Sequence, residues 1–386
     1  FIMAPPGHLT AHAKILFPWR KEALLCSFCD DAAQKPRSNM LILKKRDFAA
    51  TFFDTSLVQS APQTEEDTMA MLISGRSALR HIRNERSQRA FPPRTNLRAM
   101  PNRFSPPTVS QIDAAQKLLG CRNQPVHCIV SRREDRRKHP DVICHVKSSA
   151  LARGSFFHHD AELCVSSPEA VFLQIHHSAS DIEAIAVGFE LCGTYIRVSD
   201  EHVIYGIPPV SSVVKIRSYL RRCQHERHAA RALRNLDFVC EHSNSIRETA
   251  LALYLSLPMS RGGAGLPKPI LNKSIDVSKL TGVAWREDLR WTDIGWPGLN
   301  IGVEYDSDEF HSNPEKLAQD ARRRTLLQAA GCEVIVVTND QFRCISELDK
   351  VVKAIYRGMG KYQRCRARGF RLKQAALHKE LLRLGR

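Results

Sequence analysis

The stretch from Leu289 to Asp306 reads LRWTDIGWPGLNIGVEYD, and it decides the fold of the C-terminal third of this chain. Two runs rich in apolar and aromatic residues flank Pro297-Gly298, which is typical of a tight hairpin turn. The pattern predicts one strand over 289–296 and a second over 300–306, paired as an antiparallel hairpin.

Carboxylates stand at chemically useful places on this hairpin. Asp293 falls inside the first strand, where Asp is unfavourable unless it has a task. Glu304 and Asp306 are two residues apart, so they share one face of the second strand. Carboxylates on neighbouring strands can converge on one point, and Mg²⁺ (or Mn²⁺) prefers such hard oxygen ligands. The hairpin therefore predicts a divalent metal site formed by these three residues.

The surrounding sequence predicts helices and strands in the order α-β-β-β-α-β-α. The hairpin is preceded by a helix over 245–257 and a strand over 270–277. A helix over 314–330 follows and ends at Gly331, the expected C-cap. The unbroken apolar run from Cys332 to Thr338 is typical of a buried parallel or central strand. A last helix is predicted over 346–357.

The stretch from Arg290 to Phe342 resembles the PD-(D/E)XK nuclease superfamily. It looks most similar to the branch formed by the domain of unknown function related to very-short-patch repair endonucleases. The ordered spacing of several groups carries this resemblance, and it is more specific than any one of them. The matching residues are Ser245 and Glu248; Asp293; Glu304, Asp306 and His311; Asp320, Arg323, Leu326 and Leu327; and Gly331 with Val334 to Val337.

The resemblance implies an α/β fold with a restriction-endonuclease-like αβββαβ core, and metal-dependent hydrolysis of DNA phosphodiester bonds. Asp293, Glu304 and Asp306 would hold the metal, His311 would be the general acid or base, and Glu248 would be an accessory carboxylate. Two departures stand out in this sequence. Ser307 replaces the usual Gly, and no Lys follows Glu304 at the position of the superfamily's catalytic Lys.

These departures leave a second hypothesis open, a catalytically inactive nuclease-fold DNA-binding regulator of antitoxin type. A nuclease directed at RNA is a third and weaker one. Individual residues also have structural alternatives. Glu248 with Ser245 fits a capping box, in which a Glu side chain bonds back to the start of its own helix. Asp320 with the arginines at 322–324 fits an exposed helical charge cluster.

The chain is long enough for two or three domains. We expect the nuclease-like domain over 244–350 and an α-rich regulatory or DNA-binding region with a few strands over 71–243. That region more weakly resembles AbiEi-type antitoxin proteins, through the segments Ser166 to Phe172 and Glu190 to Tyr195. Residues 1–70 are unassigned and are expected to lie outside the folded unit.

Charge favours a nucleic-acid partner. Lys and Arg exceed Asp and Glu by 57 − 40 = 17, and the isoelectric point is near 9.5. The basic C-terminal tail, 351–386, carries 11 Lys and Arg against one acid. We expect it to contact the phosphate backbone while the domain closes before Asp349. The candidate DNA-binding residues are Arg290, Arg323, Arg364, Arg366, Arg368 and Arg371.

Cysteine usage and targeting signals suggest a reducing, cytoplasmic compartment. Of the 12 cysteines only Cys26 and Cys29 form a CxxC pair, and no second pair lies at zinc-finger spacing. Cys128, Cys164, Cys192, Cys240 and Cys332 lie in apolar surroundings and are expected to be small core residues. There is no secretory signal and no apolar run long enough to span a bilayer, so no membrane partner is expected. The sequence leaves the oligomeric state open.

Overall fold

The structure is a computed structural model that describes residues 70–89, 104–122, 124–199, 202–272, 274–275, 289–290, 292–306, 314–329 and 331–384. Within these ranges the chain is mixed α/β, as predicted. The expectations for residues 1–69, including the Cys26/Cys29 pair, and for His311 lie outside the described residues.

The strands lie in two larger sheets and two short hairpins. They are β1 Met71–Ile73, β2 Val126–Val130, β3 Val142–Val146, β4 Phe156–His158, β5 Leu163–Ser166, β6 Tyr195–Arg197, β7 Val203–Tyr205, β8 Ile270–Leu271, β9 Ser274–Ile275, β10 Leu289–Arg290, β11 Ile294–Trp296, β12 Ile301–Asp306 and β13 Glu333–Thr338. The helices are α1 Gly75–Ser87, α2 Val109–Leu119, α3 Pro168–Ile175, α4 Asp181–Cys192, α5 Val213–Arg222, α6 Ala229–Leu236, α7 Ile246–Ser256, α8 Pro314–Ala329, α9 Asn339–Arg343, α10 Ile345–Gly358 and α11 Phe370–Leu384.

The N-terminal sheet is larger than the sequence predicts. Its order is β3-β2-β1-β5-β4, with β1 in the middle, parallel to β5 and antiparallel to β2. The apolar runs at 126–130 and 142–146 form β2 and β3, which pair in parallel. Strands β1, β4 and β5 are too short to give a readable period, and the partners of the central strand β1 are distant in sequence.

Helix α3 begins with a typical start sequence, Ser167-Pro168-Glu169. Ser167 is the N-cap of α3, and its side chain accepts a hydrogen bond from the Ala170 amide. Helix α4 is buried over most of its surface, and an added Cβ on Gly188 would come within 3 Å of Val239 and Phe172. The absence of a side chain at Gly188 therefore lets α4 pack closely.

The C-terminal sheet has the order β13-β12-β11-β8. Strand β12 is antiparallel to β11 and parallel to β13, and helix α8 connects the two parallel strands. The parallel pairing of β13 is confirmed. Of the two predicted possibilities, a parallel or a central strand, the described part of the chain shows the first, since β13 is the edge strand there and is mostly half-buried. Its apolar run thus contacts helices on its faces without a further strand beside it.

The single strand predicted over 289–296 is interrupted. Strand β10 pairs with β9, whereas β11 pairs with β12 and β8, and a bend separates them. At the bend the Thr292 hydroxyl donates a hydrogen bond to the Ile294 carbonyl. Asp293 therefore lies just before a strand and not inside one.

The segment 351–386 is not an appendage to the fold, contrary to the expectation that the domain closes before Asp349. Helix α11 buries Leu377, Leu381 and Leu384 in the same hydrophobic cluster that contains Met71. Its Gln374 side chain donates hydrogen bonds to the Tyr254 hydroxyl and the Asp349 carboxylate. This basic segment contains an amphipathic helix whose apolar face completes the hydrophobic core.

Packing also runs across the predicted boundary at 243/244. Helix α7 contacts α4, and α11 contacts both of them. The predicted domain boundary between residues 243 and 244 therefore stays a prediction, since the buried residues on its two sides form one hydrophobic cluster.

The five cysteines expected in the core are all buried and without a disulfide. Burial raises the pKa of Cys164 and of Cys240 to about 12, so both are thiols at neutral pH. No helix in the described ranges combines the length and the apolar character that crossing a membrane needs.

Candidate functional site

The hairpin brings two of the predicted metal ligands to the same end of its strand pair. Ile294 of β11 pairs with Val303 of β12, and Asp293 and Glu304 are the next residues beyond that pair. Asp306, two residues after Glu304, lies on the same face of β12 as Glu304, at the half-buried end of the strand.

Asp293 is held by backbone groups of both neighbouring strands. The side chain is buried (8% exposed), and its Oδ2 accepts a hydrogen bond of 2.9 Å from the Tyr305 amide. The Asp293 carbonyl accepts a second bond, of 3.1 Å, from the Asn272 amide. Tyr305 is itself anchored, since its hydroxyl donates to Asn339 Oδ1 at 3.0 Å. The carboxylate is therefore positioned by rigid elements.

Glu304 lies against two arginines of α8. Its carboxylate is 5% exposed, with Oε1 at 2.7 Å from Arg323 Nη2 and Oε2 at 3.2 Å from Arg324 Nε. The arginines at 323 and 324 are thus half-buried partners of a sheet carboxylate, which corrects their interpretation as an exposed charge cluster. A buried carboxylate is costly without a cation, and the two guanidinium groups supply the compensating charge.

The negative charge of Glu304 affects the neighbouring thiol of Cys332. Burial, aided by the carboxylates of Glu304 and Glu333, raises the pKa of Cys332 to about 11. Cys332 is therefore a neutral thiol beside this cluster at neutral pH.

Glu248 caps its helix and also reaches toward the hairpin. The Ser245 hydroxyl accepts from the Glu248 amide, which is one half of the predicted capping box. The carboxylate accepts from the amide of Asn244, at 3.0 Å, and from Asn272 Nδ2, at 2.6 Å. Since the Asn272 amide bonds Asp293, Glu248 is linked to the hairpin through one intervening residue.

Asn272 was not anticipated from the sequence. It adopts a positive φ of 47°, which Asn tolerates better than most residues, and its Nδ2 also donates to the His242 carbonyl. A polar residue directly after the apolar pair Ile270-Leu271 was the available signal. Arg324 was likewise seen in the sequence only as part of a charge cluster, because its partner lies on another element.

The remaining candidate residues have separate positions. The side chains of Arg290 and Asp320 and the whole of His311 lie outside the described residues. Arg364, Arg366 and Arg368 are exposed on the connection between α10 and α11. Arg371 is paired with Asp349 at 2.5 Å. Among the described residues, no group of three or more His, Cys, Asp or Glu side chains is arranged to hold a metal ion.

The segment Glu190 to Tyr195, which carries the weaker resemblance, has a structural task. Glu190 receives two hydrogen bonds from Arg83, at 2.8 and 2.6 Å. Arg86 is buried and donates to the carbonyls of Glu190, Gly193 and Pro208. Burial lowers the pKa of Arg86 to about 10, so it stays charged at neutral pH. These contacts fasten α1 to the end of α4.

Comparison with known proteins adds little. A short segment resembles two uncharacterized proteins of Mycobacterium tuberculosis, one from strain CDC 1551 / Oshkosh and one from strain H37Rv. In each case the identity is 32% over 79 residues, which is 20% of this chain and 27% of the relative. The chain thus spans about a quarter of the length of these relatives. No family model matches the chain, and no solved structure matches it significantly.

Proposed function

We propose that this chain is a metal-dependent DNA endonuclease, with a restriction-endonuclease-like core formed by α7, β8, β11, β12, α8 and β13. The observation that carries the proposal is the proximity of two buried carboxylates, Glu304 on β12 and Asp293 just before β11, whose side chain bonds the amide of Tyr305, the residue after Glu304. Burying two acids side by side is unfavourable, and such arrangements are frequent where a protein uses its carboxylates chemically.

The order of elements supports the proposal. A helix, three antiparallel strands of one sheet, a helix and a strand parallel to the third one occur in this order along the chain, with the separate hairpin β9–β10 between the first two strands. Apart from that hairpin, this is the αβββαβ order that the resemblance implies. Glu304 is on β12, an inner strand of the four-stranded sheet, and Asp293 directly precedes the other inner strand, β11.

The carboxylate oxygens of this site are the type of ligand that Mg²⁺ and Mn²⁺ prefer. Mg²⁺ is commonly bound through one or two carboxylates, with water and phosphate completing the octahedron. Asp293 and Glu304 would hold it, with Asp306 at the edge. When bound, the cation would polarise the scissile phosphate and lower the pKa of a coordinated water. Glu304 would have to exchange at least one arginine contact for the cation.

The same exchange gives the arginines a role. A guanidinium group is planar, stays charged and bonds phosphate oxygens in bidentate fashion. Arg323 or Arg324, released from Glu304, would lie beside the carboxylates where a DNA phosphate approaches. Glu248 would act through Asn272 by holding the backbone of Asp293 in place. His311 remains the proposed general acid or base.

A second candidate function is a DNA-binding regulator that keeps the nuclease fold without turnover. The close pairing of Glu304 with Arg323 and Arg324 favours it, because both carboxylate oxygens already contact cationic groups. The missing Lys after Glu304 points the same way.

Nicking of supercoiled plasmid by the full chain, with Mg²⁺ or Mn²⁺ and with EDTA, separates the two functions. We expect metal-dependent nicking that falls roughly a hundredfold or more in Asp293→Asn, since a metal ligand supports several kcal/mol of charge stabilisation. DNA binding by the same variant, measured by fluorescence anisotropy, should be unchanged or stronger because a negative charge is lost. Asp340→Asn, which removes an exposed acid on α9, is the matched control and should nick like the wild type.

Three outcomes would count against the endonuclease. If the wild type binds DNA without nicking it in either metal, the regulator is the better description. If Asp293→Asn nicks at the wild-type rate, the carboxylate pair is not the site. If nicking persists in EDTA, the reaction does not depend on the metal.

A further inference from the structure

A second candidate site lies in the N-terminal part of the molecule, and its residues are far along the sequence from the hairpin carboxylates. A cavity of about 260 Å³ opens where β2 and β3 face the start of α1, the end of α3 and the loop between α5 and α6. Its walls combine polar residues of α1 with histidines of the sheet and an apolar side formed by Ile129, Leu151 and Leu173.

Helix α1 begins in this cavity without a cap. Ser74 occupies the N-cap position but makes no side-chain capping bond, although it is only 2% exposed. Its hydroxyl has no hydrogen-bond partner among the described residues, and the residue lines the cavity. A buried hydroxyl without a partner costs about 1–3 kcal/mol of stability, and a hydrogen bond to a ligand atom in the cavity would offset that cost.

The backbone at this point is shaped for an anion. Gly75 has a positive φ of 53°, and the chain turns there directly from the central strand β1 into α1. A left-handed residue followed by a right-handed one points successive amides into a common concavity that suits anions. The amides of Arg76 and Ser77 have no acceptor in the described part of the chain. A Cβ added to Gly75 would meet nothing within 4 Å, so the space in front of these amides is open.

The charges around the cavity favour a negative ligand. Its two acidic neighbours are already matched, Glu226 by Lys147 at 2.9 Å and Glu183 by Arg76 at 2.8 Å. Arg227 lines the cavity, is exposed and makes no ion pair among the described residues. The cavity therefore keeps a positive surplus beside the open helix start.

Two histidines complete the polar side. One ring nitrogen of His127 lies 2.8 Å from one of His145, and the rings stack with an interplanar angle of 11°. Burial, together with His145 and Arg76, lowers the pKa of His127, and burial lowers the pKa of His145, which favours the neutral form of both rings. In a neutral pair one N–H is shared between the rings, and the other N–H can donate to a phosphate oxygen.

We propose that this cavity binds a small phosphomonoester, with its phosphate on the Ser74 hydroxyl and the amides at the start of α1. Arg227 and the His127–His145 pair contact the phosphate from the side, and the apolar wall accommodates the organic group. The volume is slightly below the range of roughly 300–1,000 Å³ typical of small-molecule pockets, so a phosphorylated sugar fits better than a larger cofactor.

Isothermal titration calorimetry of the full chain tests the site, with inorganic phosphate, ribose 5-phosphate and unphosphorylated ribose as probes. We expect saturable binding of both phosphate-bearing probes, tighter for ribose 5-phosphate, and none of ribose. Ser74→Ala should weaken binding roughly tenfold or more, because it removes a hydrogen bond to a charged group. Arg227→Gln, an exposed substitution, should also weaken it, whereas Arg234→Gln on α6, which does not line the cavity, should have no effect.

Two results would overturn the assignment. Wild-type affinity in both Ser74→Ala and Arg227→Gln, or no saturable binding of either phosphate-bearing probe, would rule out a phosphate site here. A 5′-phosphorylated oligonucleotide, compared with its 5′-hydroxyl form, distinguishes the source of the phosphate. If only the phosphorylated oligonucleotide binds and ribose 5-phosphate does not compete with it, the small-ligand proposal is wrong.

Discussion

Oε1 of Glu304, on the inner strand β12, lies 2.7 Å from Nη2 of Arg323 on helix α8. The contact ties the helix to the strand whose Tyr305 amide bonds the Asp293 carboxylate. It has two consequences, because removing one partner leaves a buried charge, and because any cation bound at Glu304 must compete with a guanidinium group. Both consequences are measurable.

Glu304→Gln should lower the free energy of unfolding by roughly 2–4 kcal/mol, since it leaves Arg323 half-buried beside a neutral amide. Urea denaturation measures the change. Glu347→Gln is the control, because Glu347 pairs with Lys350 on the exposed face of α10. That surface pair should contribute no more than about 1 kcal/mol. An unchanged urea midpoint in Glu304→Gln would mean that the ion pair does not stabilise the fold.

Gly302→Ala should destabilise the hairpin and disturb Asp293. A Cβ at Gly302 would lie 2.3 Å from Cγ2 and Oγ1 of Thr292, the residue next to Asp293. Overpacking of this kind costs roughly 1–3 kcal/mol, and a shift of the bend would move the carboxylate. Gly298→Ala is the matched control, since a Cβ there meets nothing within 4 Å. Equal thermal melting of the two variants would contradict the close packing at Thr292.

Removal of the C-terminal residues after Gly358 should destabilise the protein. Helix α11 buries Leu377, Leu381 and Leu384, and each fully buried Leu contributes roughly 1.5–3 kcal/mol. Circular dichroism of the truncated chain should show earlier melting or aggregation. A truncated protein that melts at the wild-type temperature would show that α11 is dispensable.

The role of the basic connection in DNA binding is tested without touching the core. Neutralising Arg364, Arg366 and Arg368 together with Gln should leave melting unchanged, because all three are exposed. If DNA is the partner, each contacted phosphate contributes about 0.9 to the slope of log K against log salt, so the slope should fall by up to roughly 3. Anisotropy titrations at several salt concentrations measure it. An unaltered slope would mean that these arginines do not contact phosphate.

The buried His176 makes stability depend on pH. Its Nδ1 donates to the Phe172 carbonyl, and its Nε2 accepts from Asn235 Nδ2. If His176 were protonated, its Nε2–H and the Asn235 N–H would be two donors facing each other, which is unfavourable. Burial lowers its pKa from 6.5 to about 4. The unfolded chain therefore binds the proton first as the pH falls, and stability decreases between about pH 7 and pH 4.

For His176 alone the loss between about pH 7 and pH 5 is roughly 1–2 kcal/mol. Urea midpoints measured across this range should fall less steeply in His176→Gln than in the wild type. His225→Gln, which removes an exposed imidazole, should keep the wild-type slope. A His176→Gln slope equal to that of the wild type would show that this residue is not the one that titrates.

Much of the local structure could be predicted from the sequence. Ser167-Pro168-Glu169 marked the start of α3, Gly331 ended α8 with a positive φ of 76°, and the apolar runs marked β2, β3 and β12. These features depend on residues close together along the chain. The bend that interrupts 289–296 did not show in the pattern, because it depends on the contact between Thr292 and Gly302 across the hairpin.

The candidate site likewise combines local features, which the sequence predicts, with contacts between distant elements, which it does not. Hairpin periodicity sufficed to predict that Glu304 and Asp306 share a face, since alternation along a strand is a local property. The sequence could not assign Arg323 and Arg324 to Glu304, or Asn272 to both Glu248 and Asp293, because these partners lie on separate elements. The proposed roles of Asp306 and His311 in metal binding and proton transfer stay predictions.

The sequence by itself determined the mixed α/β class, the start of α3 and the alternation that puts Glu304 and Asp306 on one face of β12, all of which follow from neighbours along the chain. Only the tertiary structure decided that the basic C-terminal segment closes the core and that β1 is the centre of a sheet. It also placed an uncapped Ser74 at the mouth of a cavity. The physical reason is that burial and pairing depend on which distant surfaces meet, and a linear pattern does not record that.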